Sequence, residues 1–136
     1  VEKIITHDST QNKCFECEIL EQEGIISCAW HGNSQDLDQT KIASSSIVRL
    51  LKRTGFTKVL DDNRQGYGEW PDLTQWLKSE WVPELLNTKI TAYAHVLSPD
   101  FSSKIPASNI FNQIIDGVDF VTFDSYSTAL NWLKHR

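Results

Sequence analysis

The sequence predicts an α/β domain, bordering on α+β, in which a β-hairpin precedes regular strand and helix alternation. Three observations carry this reading. Two segments of alternating apolar residues, Cys14 to Leu20 and Ile25 to Trp30, flank a turn that ends in glycine. Short apolar runs at 58–61, 90–96 and 119–123 are separated by stretches of helical period, which suits parallel strands joined by crossovers. The segment from Lys58 to Pro71 ends an apolar run in Asp61-Asp62, then passes through a polar loop with Gly66 and Gly68 to a proline. That is how a buried strand leads into a helix, and such loops are where α/β domains hold ligands and partners.

Each element has its own justification. In the hairpin, Phe15, Cys17 and Ile19 share one face of the first strand, and Ile26, Cys28 and Trp30 one face of the second. Closing the turn at Gly24 sets Ile19 opposite Ile26, Cys17 opposite Cys28 and Phe15 opposite Trp30, and a slip of one residue would scatter all three pairs. A helix follows, capped by Ser34 or Asp36, with Ile47, Val48 and Leu51 as its apolar stripe. Lys52 and Arg53 suit its negative end, and Gly55 the position after it. Lys58 to Asp61 reads as a short buried strand. Pro71 fits the first turn of a second helix, with Leu73, Trp76, Leu77 and Trp81 on one face, and Pro83 ends or kinks it. Ile90 to Val96 is a strand with Ile90, Ala92, Ala94 and Val96 on one face and Thr91, Tyr93 and His95 on a polar one. Ser98-Pro99-Asp100 turns it. Pro106 opens a helix carrying Ile110, Phe111 and Ile114, Gly117 interrupts, and Asp119 to Phe123 is the last strand. Asp124 or Ser125 caps a closing helix whose Tyr126, Ala129, Leu130 and Leu133 recur at helical spacing. Val1 to His7 adds an edge strand.

Composition bounds the function. The 136 residues fit one domain over 1–136, able to bury roughly two thirds of its unfolded surface. Apolar content of 40% and charged content of 23% are ordinary for a globular domain. A net charge of -5 with scattered basic residues argues against a nucleic-acid partner. No run approaches the roughly 20 apolar residues of a membrane span. The first twenty residues lack the pattern of a secretory signal, although a chain without methionine leaves room for residues ahead of Val1. Three cysteines in a chain of this size predict free thiols and a reducing cytoplasm.

The hairpin, the Val59-Leu60-Asp61-Asp62 strand with its glycine-bearing loop, and the ending Phe123-Asp124-(x4)-Ala129-Leu130-x-Trp132-Leu133 resemble a SpoIIAA-like, or STAS, domain. More narrowly they resemble small bacterial STAS/SEC14 domain-containing proteins, over about Phe15 to Leu133. The resemblance implies a mixed sheet of four to five strands with helices mainly on one face. It also implies a regulatory interaction module, or a binder of small apolar ligands. One departure matters: anti-sigma-factor antagonists of this fold carry a phosphorylatable serine in the corresponding loop. Here Asp62-Asn63-Arg64-Gln65-Gly66-Tyr67-Gly68 offers no hydroxyl but that of Tyr67, so the sigma-factor circuit does not transfer.

Several residues invite a chemical reading. Cys14-x2-Cys17-x10-Cys28-x2-His31 has the composition of a zinc ligand set. Cys14 and Cys17 lie three apart on a strand, however, and point to opposite faces, so core thiols are the preferred reading and no cofactor is expected. Asp61 and Asp62 also diverge, so at most one faces any given pocket. The plain reading gives one carboxylate to the loop's own amides and the other to water or Arg64. The predicted activity is that of a non-catalytic binding module engaging a protein partner or a small apolar ligand, with a homodimer as an open arrangement. Its contacts are expected at Asp61, Asp62, Arg64, Tyr67 and Trp70, with Ser98 and Asp100 at the same strand-end edge. The alternative is a small hydrolase or isomerase using Asp61 or Asp62 with His95.

Overall fold

Parity along the hairpin decides where the main core sits. A computed structural model describes residues 3–8, 10–33, 37–67, 75–98 and 113–136. In it β1 (Lys3–His7), β2 (Lys13–Leu20) and β3 (Ile25–Asn33) form an antiparallel meander. The β2–β3 register is the expected one, pairing Phe15 with Trp30, Cys17 with Cys28 and Ile19 with Ile26. Gly24 holds φ at +69° and its N–H donates to the Leu20 carbonyl at 2.9 Å, a conformation that an L side chain disfavours. Phe15, Cys17, Ile19, Ile26 and Cys28 all become buried.

Helix α1 (Leu37–Thr54) lies across that face and buries Ala43, Ile47, Val48, Leu50 and Leu51 against it. Its expected caps, Ser34 and Asp36, lie outside the described residues. Ser44 and Ser46 are buried as well: Ser46 returns its hydroxyl to the Ile42 carbonyl, and the Ser44 carbonyl accepts from the Trp81 indole at 2.8 Å. Small side chains there let the next helical segment approach closely. That segment is a π-helical turn, Leu77–Trp81, running into α2 (Val82–Leu86). Pro83 has no N–H to give, and it stands in the first turn of α2, where the π ladder hands over to α geometry, so it does not end the segment. Leu77, Trp81, Val82 and Leu85 complete the main core, while Pro71 and Leu73 fall outside the described residues.

Three strands then extend the sheet in parallel: β4 (Lys58–Tyr67), β5 (Ala92–Val96) and β7 (Val118–Phe123), with the short β6 (Gln113–Ile115) antiparallel at the edge. The order is β1-β2-β3-β4-β5-β7-β6. Helix α3 (Tyr126–Lys134) packs on the opposite face from α1 and α2, over Ile25, Leu60, Ala92, Ala94 and Val96. It is capped by Ser125, whose hydroxyl accepts from the Thr128 N–H at 3.4 Å.

Four expectations are corrected. The mixed sheet has seven strands where four to five were expected, because both ends of the sheet recruit a short antiparallel edge strand. The expected helix carrying Ile114 is, at Gln113–Ile115, strand β6; residues 99–112 lie outside the described set. The Asp116-Gly117 turn, with φ of +49° and +84°, folds β6 back on β7 as a two-residue hairpin, and Ile114 is left 74% exposed. β4 runs six residues past Asp61, because β3 also continues and offers it partners, His31 to Gln65, Gly32 to Gly66 and Asn33 to Tyr67, across a register shift after Ala29. The loop expected from Asp61 is therefore strand as far as Tyr67. Finally, the polar face assigned to Tyr93 and His95 is core, since a central parallel strand is covered on both sides and every residue of β5 is buried.

Candidate functional site

β3, β4 and β5 run parallel, and a rim forms where β5 stops at Val96 beside the two longer strands, which continue past it. There Asp61 stands beside Cys28 on one side and His95 on the other, and Asp62 beside Ala29 and Val96. Alternation sends the two carboxylates to opposite faces. Asp61 joins the face of α1 and α2, together with Trp30 and Tyr93. Asp62 joins the face of α3.

Asp61 is 5% exposed and meets four donors. Its Oδ1 accepts from the Trp30 indole at 2.8 Å and from Asn63 Nδ2 at 3.2 Å. Its Oδ2 accepts from the Tyr93 hydroxyl at 2.5 Å and faces His95 Nδ1 at 3.3 Å. A carboxylate offers about four lone-pair directions, so this one is saturated. The donors come from β3, β4 and β5, which makes the group a clamp across three strands. Burial pushes the Tyr93 hydroxyl well above its ordinary pKa, and the neighbouring Asp61 charge adds to that, so tyrosine stays protonated and donates. Asn63 Nδ2 lies 3.3 Å from the same His95 nitrogen, and a protonated Nδ1 directs its hydrogen to Asp61 instead.

Asp62 has a different setting. Its Oδ1 accepts from the Arg64 N–H at 3.0 Å and from Arg64 Nε at 2.9 Å, and its Oδ2 from the terminal guanidinium nitrogen at 2.8 Å. The guanidinium in turn lies 4.7 Å from the centre of the Tyr126 ring at the start of α3. Its hydrogen bonds with Asp62 raise the Arg64 pKa further. Arg64 is half exposed and presents a fixed, planar cation at the rim.

The expected site residues therefore divide. Asp61 and His95 come together on one face, Asp62 and Arg64 on the other. Ser98 is buried at 3%, and its Oγ has no hydrogen-bond partner among the described residues. Tyr67 contributes backbone to the β3–β4 ladder, while Trp70 and Asp100 lie outside the described residues. Trp30, Asn63, Tyr93 and Tyr126 belong to the site without having been singled out for it. Strand parity was the available signal for Tyr93, which precedes His95 by two residues. Cys14 donates to the Thr6 carbonyl at 3.3 Å, away from Cys17 and Cys28, and among the described residues no cluster of three or more His, Cys, Asp or Glu could hold a metal ion. Among them, too, no helix is long and apolar enough to cross a membrane. No family model, no curated protein and no solved structure matches the chain.

Proposed function

We propose that the chain is a non-catalytic regulatory or binding module of SpoIIAA-like/STAS type, working in the cytoplasm. It engages a protein partner or a small apolar ligand through the strand-end segment 61–70. The observation that carries the non-catalytic reading is the saturation of Asp61. A general base must hold a lone pair toward a substrate, and this carboxylate spends its oxygens on Trp30, Asn63, Tyr93 and His95 inside the core. The element order supports the family reading: a hairpin, a helix, parallel central strands and a closing helix. Two of the three described helices share one face, as the resemblance implies, and α3 on the other face is a departure from it. Arg64 supports the placement of the contact surface, being held rigid and half exposed at the rim.

The test is native mass spectrometry of the purified protein beside two variants, Arg64→Glu and Tyr67→Ala/Trp70→Ala. Loss of a copurifying ligand or partner at unchanged melting temperature supports the reading, and undiminished binding by both folded variants rejects it. The hydrolase or isomerase alternative keeps one observation in its favour, the 3.3 Å approach of His95 to Asp61. Turnover of an ester or carbonyl substrate panel that disappears in His95→Gln would establish it.

A further inference from the structure

Cys17 and Cys28 are not used by the proposed binding surface. They are direct partners in the β2–β3 register, both are 1% exposed, and their sulfurs lie 3.2 Å apart as free thiols. Side chains directly opposite on antiparallel strands hold their Cβ atoms ~4.5–5.5 Å apart. A disulfide needs roughly 3.5–4.5 Å between the same atoms, so closure asks for a local approach of about 1 Å within one hairpin. The third cysteine is no competitor. Cys14 faces the other side of β2 and donates to Thr6. Cys28 is also the β3 partner of Asp61, and both sulfurs lie close to Tyr93, so the pair sits against the clamp that joins three strands.

We propose that Cys17 and Cys28 are a redox pair that closes into a cross-strand disulfide by exchange with a low-molecular-weight disulfide such as oxidised glutathione. One cysteine, as thiolate, attacks a glutathione sulfur, breaks its S–S bond and releases one reduced glutathione. The second cysteine, having lost its proton to solvent, attacks the mixed disulfide, forms the Cys17–Cys28 bond and releases a second. Two electrons pass from the protein thiols to the glutathione disulfide. Burial pushes the Cys28 thiol well above its ordinary pKa, so exchange runs through opening of the hairpin and is slow in the closed fold. The fold holds the two sulfurs together far more than an unfolded chain does, and the disulfide therefore forms at a more reducing poise in the folded protein.

The experiment refolds the full chain in a series of reduced-to-oxidised glutathione ratios, so that burial does not limit access. After acid quench, the remaining thiols are alkylated under denaturing conditions and counted by intact mass and peptide mapping. The same series is run in urea above the unfolding transition. The expected result is one free thiol where the reduced protein has three, a Cys17–Cys28 link, and half-conversion at a ratio at least roughly tenfold more reducing than in the unfolded chain. Cys14→Ser should behave alike with no thiol left, and Cys28→Ser should show no Cys17 crosslink. Equal or more oxidising half-conversion in the folded chain overturns the proposal, as does a map dominated by glutathione adducts or by Cys14 links.

Discussion

Asp61 and Asp62 are neighbours in sequence and have little else in common. The first is enclosed by four donors in the main core. The second is paired with one cation whose other side meets solvent. Strand alternation is the whole cause of the difference. The same dipeptide gives one face of the rim an internal lock and the other a presented ionic group. A buried charge without partners is costly, so the lock cannot lose a member cheaply, whereas the outer pair can be dismantled with water taking its place.

The largest expected effect is at the lock. Asp61→Ala removes the one acceptor that Trp30, Asn63, Tyr93 and His95 share in a water-poor site. We expect a loss of about 3–5 kcal/mol, read from the urea midpoint at unchanged slope. A loss below that of Asp62→Ala would erase the distinction between the faces. Asp62→Ala itself should cost ~1 kcal/mol or less, because Arg64 stays over Tyr126 and is hydrated. The same denaturation experiment checks it.

The smallest effect belongs to the half-buried back of the hairpin. There Glu16 pairs with Lys13 at 2.5 Å and Lys3 at 3.2 Å, and His31 Nε2 lies 3.3 Å away without the alignment of a hydrogen bond. Its hydrogen bond with Lys13, ahead of that with Lys3, lowers its pKa from 4.5 to about 2. A folded pKa below the unfolded one contributes stability that is present above pH 4.5 and is lost as pH falls toward 2. Glu16→Gln should therefore cost roughly 0.5 kcal/mol at pH 7 and flatten the decline of stability across that window, measured by thermal melts at stepped pH.

How much of this could be read in the chain depends on how local the cause was. The hairpin register was legible because three apolar pairs and Gly24 agree within sixteen residues, Phe15 to Trp30. The divergence of Asp61 and Asp62 was legible from parity alone. The length of β4 was not, because it is set by the far end of β3 across a register shift that no local pattern marks. β6 is not legible from spacing, because Ile110, Phe111 and Ile114 recur as on a helix, and only the Asp116-Gly117 turn marks the hairpin. Alternation along 90–96 sets Thr91, Tyr93 and His95 opposite Ile90, Ala92, Ala94 and Val96, and their polar groups suggest a face that meets water. Only the layer order shows that this side is buried, with Trp81 edge-on against Tyr93, and there Asp61 supplies a partner to both the tyrosine hydroxyl and the imidazole.

The account turns on Asp61 being a structural clamp, and a double-mutant cycle between Asp61→Ala and Tyr93→Phe probes that interaction itself. Removing the acceptor and the donor of one short buried bond should be far from additive, with a coupling of about 1.5–3 kcal/mol in urea denaturation. Additivity within ~0.5 kcal/mol would mean that the hydroxyl and the carboxylate do not hold each other, and the clamp would have to be given up.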